Sequence, residues 1–475
     1  MGANRNVMSD RPEGSPRKNI GRLVAAWTVV TILGTLIAGS ALVFGTLWLK
    51  EYRRVQHFAE DLVSPDPRKR DRADSQLLDL GNGAEELLEK AARRAPGPLR
   101  AECQRVLHDA RFPTHTPLFD SLLWLARHQD PDGSWNPQAF SSNCAGIPCS
   151  GPGEREFTPG LTGLSVLAFL GAGFSQLSSE KILTSEQPGR LVHFGRVVKK
   201  ALAWLLAHQA ADGSIGVGGP KSMYNHAIAA LALSEAYGMT ASQPLRTPAQ
   251  EAVDYLVASQ NPGKGWRYSA RCGDSDSSVT GWAVLALKSA ELSELHFPKS
   301  AYDGARAWYA AVTESDRSFR IGYAEKGPGG ISREGKEGIE RHPTMEALGA
   351  LALVFMIKKK EERILGATKL VVDDLPEWTP KKIDFVYWHF GSLATFQVDG
   401  PDGALWTRWK DPLKEAIVSH QRTTKDGCAN GSWDPEGDRW GSAGGRVYAV
   451  ALNALTLEVY YRYANVFGGA QGQQK

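Results

Sequence analysis

The chain has 475 residues, 42% of them hydrophobic, and a net charge of only +3. That length suits one large domain with additions, or two to three average ones, and the composition excludes a disordered chain. Both signs of charge are interspersed, so nucleic acid is excluded as a partner on electrostatic grounds.

In chain order, residues 1–19 read as a polar tail. Residues 23–49 contain no charged side chain. As a helix they would rise about 40 Å, more than the ~30 Å hydrocarbon core requires, and they outrun the roughly 7–15 apolar residues of a signal peptide. A single-pass transmembrane helix is therefore expected over residues 20–50, with the membrane as a partner. Arg5, Arg11, Arg17, Lys18 and Arg22 precede it, and Lys50, Arg53 and Arg54 lie on its other side. This bias favours a cytoplasmic N-terminus and an extracytoplasmic bulk domain.

Residues 51–111 resemble a short HEAT-like helical neck, with a DPR-like start and a Leu-Gly corner; so few units are expected to pack onto the larger body of the chain beyond residue 111. Further on, NCAGIPC sets Cys144 close to Cys149. The spacing fits a local disulfide outside the cytoplasm or half of a metal site. No second Cys/His pair in the sequence answers it, so neither a metal ion nor any other cofactor is expected.

Residues 112–463 repeat. SLLWLARHQDPDGSW (121–135), KALAWLLAHQAADGSI (200–215) and EAVDYLVASQNPGKGW (251–266) each run aromatic, Leu, three residues, Gln, then a Gly turn. SHQRTTKDGCANGSWDP (419–435) is a degraded copy, with Gln421 and Trp433. A second, nearly all-apolar helix comes after each turn, and two more first helices fall near 301–313 and 361–374. First helices carry charge on one side and second helices do not, which predicts an outer and an inner set. Six such hairpins predict an all-α chain whose main body is an (α/α)6 toroid, with residues 464–475 as a flexible tail.

The W/Y-L-x3-Q-x3–5-G-x-W pattern resembles the QW repeat of the terpenoid cyclase and protein prenyltransferase superfamily, over about residues 112–462. The resemblance implies parallel inner helices with a ligand in the central hole. It also draws attention to Asp274-Ser275-Asp276-Ser277 at the start of an inner helix. Squalene–hopene cyclases carry Asp-x-Asp-Asp there; Asp276 falls on their proton donor, Asp274 matches the first acid, and Ser277 stands for the third. Protein prenyltransferases hold zinc by Asp-x-Cys at that place, and here Ser278 replaces the Cys.

Asp274 and Asp276 are thus candidate catalytic acids, with helix capping as the competing reading. Tyr224, His226, Trp282, His342, Trp388 and Arg446 are candidate ligand-binding residues at the mouth or in the well. The implied function is a membrane-anchored toroid that binds, or binds and transforms, an elongated apolar isoprenoid-type ligand. The alternative is a non-catalytic scaffold for a protein or peptide.

Overall fold

The computed structural model describes residues 115–179, 182–183, 191–219, 221–314, 318–326, 343–357, 361–380 and 382–467, together with residues 55, 57–64, 69 and 73. The chain divides into two units, Met1–Pro113 and Thr114–Lys475. In the first, Val55, Ala59, Leu62 and Ala73 are buried. The expected transmembrane segment over residues 20–50, most of the HEAT-like neck and His342 lie outside the described residues. Among the described residues no helix is long and apolar enough to cross a membrane, so the structure lends the single-pass anchor no support.

The second unit is an (α/α)6 toroid. Six outer helices, α1 (His115–Arg127), α3 (Phe194–Ala207), α5 (Gln243–Ala258), α7 (Ser300–Val312), α9 (Glu362–Val372) and α11 (Ala404–Val418), alternate with six inner ones. The inner helices are α2 (Thr158–Gly171), α4 (Ser222–Thr240), α6 (Ser277–Leu292), α8 (Thr344–Ile357), α10 (Phe385–Asp399) and α12 (Gly441–Phe467). A two-residue hairpin, β1 (Ile182–Leu183) against β2 (Leu191–Val192), interrupts the path from α2 to α3.

Apolar spacing decides which set a helix joins. In α3 the buried side chains are Phe194, Val197, Val198, Ala201, Leu202 and Leu205, a single face, while Lys199 and Lys200 are exposed. In α2 every residue from Gly160 to Leu170 is buried, as an element packed on all sides must be. Inner helices come close through small residues: a Cβ on Gly163 would meet the Ala229 Cα at 3.1 Å. Each inner helix packs on the next, and α12 closes the ring on α2 and α1.

The repeated Gln joins consecutive hairpins. Gln129 donates to Gly133 O (3.0 Å) in its own turn and to Val197 O (2.9 Å) in α3. Gln209 likewise reaches Pro248 O of α5 (2.9 Å), and Gln260 reaches Ala301 O of α7 (2.9 Å). Gln421 completes the circle, donating to Pro117 O of α1 at 2.7 Å. The repeat Trp serves the helix before it: Trp135, Trp266 and Trp433 donate from Nε1 to Leu125 O, Leu256 O and Ile417 O at 2.7–2.8 Å. These are last-turn carbonyls that lack a partner within their own helix.

Candidate active site

The N-terminal halves of the inner helices surround a well of about 160 Å³. All six contribute, among them Leu161 and Leu164, Tyr224 and Ile228, Ser278 and Trp282, Met345 and Leu348, Val386, and Tyr448 and Leu452. Apolar side chains form the depth. Lys221, Tyr224, Tyr268 and Ser278 supply polar groups at the rim, and the Tyr224 hydroxyl hydrogen-bonds to that of Ser278.

Asp276 sits behind this rim with no exposed surface. It is the N-cap of α6: Oδ1 accepts from Val279 N–H at 2.7 Å. Oδ2 is buried without a well-formed hydrogen bond, with Arg267 Nε 4.0 Å away. Burial raises the carboxyl pKa to about 6, against the lowering effects of the Val279 amide, the nearby Tyr323 hydroxyl and Arg267. Tyr323 in turn hydrogen-bonds to the Tyr268 hydroxyl at 2.7 Å, and Tyr268 lines the well. Asp276, Tyr323 and Tyr268 thus follow one another toward the well. Tyr309 closes the far side, donating to Ser277 O at 2.8 Å. Burial holds the Tyr224, Tyr309 and Tyr323 phenols above their ordinary value, with the Asp276 charge adding to it.

Other acids sit at neighbouring inner-helix starts. Asp384 caps α10, accepting from Tyr387 N–H at 2.8 Å, and meets Arg439 at 3.3 Å. Asp438 accepts from Phe385 N–H and Trp440 N–H, both at 2.8 Å; burial first and then the Asp384 charge raise its pKa. Both oxygens of Asp438 are engaged, which separates it from Asp276.

The candidates named from the sequence are spread across this arrangement. Tyr224 and Trp282 line the well and Asp276 stands behind it. Asp274 is exposed and pairs with Arg267 at 3.6 Å. His226 is a wall residue: Nδ1 accepts from Ile215 N–H (3.2 Å) and Nε2 donates to Ala252 O (3.0 Å). Thr162 and Thr280 accept in the same way from Trp135 N–H and Trp266 N–H, so His226 fills a repeated structural position. Burial lowers its pKa to about 4 and keeps it neutral. Trp388 is buried against Trp378 and Phe385 and does not line the well. Arg446 is buried, donating to Ser150 O (2.8 Å) and Ser432 Oγ (2.8 Å) and pairing with Asp434.

Sequence reasoning missed Tyr268 and Tyr323. A signal was present, since each lies two residues after the residue that ends its turn, in Trp266-Arg267-Tyr268 and Ile321-Gly322-Tyr323. The structure also brings together four side chains that the sequence did not connect. His128, Cys144, Cys149 and Cys428 gather their donor atoms within 4.8 Å of one another. The partners that the sequence failed to supply for Cys144 and Cys149 come from the end of α1 and from the segment between α11 and α12.

No known family description matches the sequence, and no curated protein matches it. Among solved structures the chain is similar to an α-1,6-mannanase of Salegentibacter sp. HEL1_6, with TM-score 0.47 and 10% identity over 73% of this chain and 98% of that one. It is similar to an α-amylase from Clostridium perfringens, with TM-score 0.46 and 10% identity over 73% and 98%. It is also similar to a D-mannose isomerase, with TM-score 0.48 and 12% identity over 72% and 96%. Likenesses this distant describe the all-α toroid and nothing finer.

The expected relationship to terpenoid cyclases and prenyltransferases is thereby corrected: no family description matches the sequence or its repeat, and none of the similar solved structures named above is one of those enzymes. In this chain the repeat is a ring-joining device, tying each turn to the next outer helix. The well corrects the expected ligand as well. At about 160 Å³ it is near the ~150 Å³ of a cavity that holds benzene, well short of the roughly 300 Å³ at which drug-sized pockets begin. The enclosed part is too small to take up a whole elongated isoprenoid, and nothing favours the scaffold alternative.

Proposed function

We propose that the toroid is an enzyme that performs acid-assisted chemistry on a compact, ring-sized ligand seated in the well. Asp276 is the proton source, and Tyr323 and Tyr268 carry the proton to the ligand. The observation that supports this is the divided carboxyl of Asp276: one oxygen caps α6, the other is buried away from the backbone with Tyr323 and Arg267 as its neighbours, and the pKa stands at about 6. A cap requires one oxygen only. A carboxyl that is still half-protonated at about pH 6 suits a general acid in mildly acidic conditions.

The lining favours a ring with an apolar face and a hydroxyl-bearing edge, such as a single sugar unit or a cyclic alcohol. Its C–H face would lie against Trp282 and Tyr448, and its hydroxyls would meet Tyr224, Ser278 and Lys221. Ligand-observed NMR of the full chain against a panel of monosaccharides and cyclic alcohols tests the first half. Binding is expected in the wild type and about tenfold weaker in Trp282→Ala. Compounds that bind are then incubated with wild type and Asp276→Asn, with products followed by mass spectrometry across pH. Turnover is expected to decline as pH rises through about 6 and to vanish in Asp276→Asn. Equal binding by Trp282→Ala, or undiminished turnover by Asp276→Asn, overturns the proposal.

A further inference from the structure

At the seam where the last hairpin meets the first, four side chains converge without any part in the well. His128 comes directly after α1, Cys144 and Cys149 lie in the loop before α2, and Cys428 lies between α11 and α12. We propose that His128, Cys144, Cys149 and Cys428 form a structural zinc site that locks the toroid closed.

Geometry carries the assignment. Nε2 of His128 lies 3.3 Å from Cys428 Sγ, 3.4 Å from Cys144 Sγ and 3.7 Å from Cys149 Sγ. In tetrahedral zinc, with Zn–S near 2.3 Å and Zn–N about 2.0–2.1 Å, sulfur and nitrogen ligands stand about 3.6 Å apart. Hydrogen bonding does not explain the convergence. His128 Nδ1 lies 2.8 Å from Trp124 O, an acceptor, so Nδ1 carries the proton and Nε2 is left with one lone pair. One thiol satisfies that lone pair; three are aimed at it. The point they share is a cation position.

The surroundings agree. The Nδ1–H bond to Trp124 O fixes the tautomer that presents Nε2, and the Trp124 ring stacks on the imidazole with centroids 4.0 Å apart. Cys149 N–H donates to Cys144 Sγ at 3.2 Å, a bond that stabilises a thiolate. Three thiolates and a divalent ion leave one negative charge, and the cations Arg127 and Arg446 both act on the cluster. Arg446 also holds the loop directly after Cys149 through Ser150 O. Soft thiolates select zinc over magnesium or calcium, and four protein ligands leave no open position for catalysis. All four described cysteines, Cys272 included, are free of disulfides.

The test is metal analysis of the full chain, produced with zinc in the medium and purified in reductant without chelator. About one zinc per chain is expected in the wild type and in Cys272→Ser, whose cysteine is exposed and is not one of the four convergent side chains. Cys428→Ser is expected to hold several-fold less. Cobalt substitution of the wild type should give thiolate-to-cobalt charge-transfer bands and the intense visible bands of a tetrahedral ion. A wild-type chain that takes up neither zinc nor cobalt, or that holds iron instead, overturns the assignment. So does Cys428→Ser with full zinc, or a Cys144–Cys149 disulfide in protein isolated without reductant. Should Cys428→Ser fail to fold, the wild-type cobalt spectrum decides by itself.

Discussion

At the first turn of α6, Asp276 keeps one oxygen on the backbone and leaves the other among tyrosines. Its folded pKa of about 6 lies above the ordinary 3.8, which fixes the sign of a pH effect on stability. Below the ordinary value both states are protonated. Between the two values the unfolded chain releases the proton while the folded chain retains it, so stability falls as pH rises. Above the folded value the loss is complete, at about 3 kcal/mol. An asparagine in this position would cap the helix without a proton to lose. The unfolding free energy of Asp276→Asn relative to wild type, followed in urea from acid to neutral pH, should therefore rise by about 3 kcal/mol; titrations shared by both proteins cancel in the difference. A flat difference would show that the carboxyl is not held in this environment. The sequence made the cap legible, because Asp and Ser before an apolar run mark a helix start. It could not show the second oxygen, whose surroundings come from Tyr323 and Arg267 on other segments.

At the scale of elements, the helices and their order were legible because outer and inner sets differ in how many faces they bury, and burial leaves its period in the sequence. The ring-joining turns were legible too, through Gln and Trp at fixed spacing. Their glycines have a physical reason that the pattern alone does not give. Gly213 has φ +85° and a Cβ there would come 2.2 Å from Glu251 O of α5; Gly431 repeats the arrangement against Asp120 O of α1 at 2.1 Å. Gly263 has φ +67° with open space around it. Gly263→Ala should therefore cost only the left-handed backbone, about 1 kcal/mol, whereas Gly213→Ala should cost about 3 kcal/mol or more because α5 must also move. Thermal unfolding of the two variants checks the ranking, and equal losses would mean that the close approach to α5 is not made. The family was misread at this same scale. Gln and Trp bonds report how hairpins join, and they are silent on what the well holds.

In the whole molecule a ring has one joint unlike the others, where the chain's first hairpin must find its last. Three kinds of bond meet at that joint. Gln421 reaches Pro117 O at 2.7 Å, Arg127 donates to Asn430 O at 2.8 Å, and the Cys and His side chains gather there. The cluster was illegible in the sequence because Cys428 lies 300 residues from His128, a distance at which no local spacing survives. The same separation gives a cross-link its leverage, since tying distant residues restricts the unfolded chain more than tying near ones. The other five joints rest on neighbours in the chain and need no such link. Removing zinc with a chelator should therefore lower the melting temperature and loosen the ring unevenly. Amide hydrogen exchange should rise first in α1, in residues 140–149 and in residues 424–429, while α5 to α8 keep their protection. Gln421→Ala should deepen this loss at the seam, and Gln209→Ala, at an ordinary joint, should not. Uniform exchange through all six hairpins after chelation would show that the metal stabilises the toroid as a whole and not its closure.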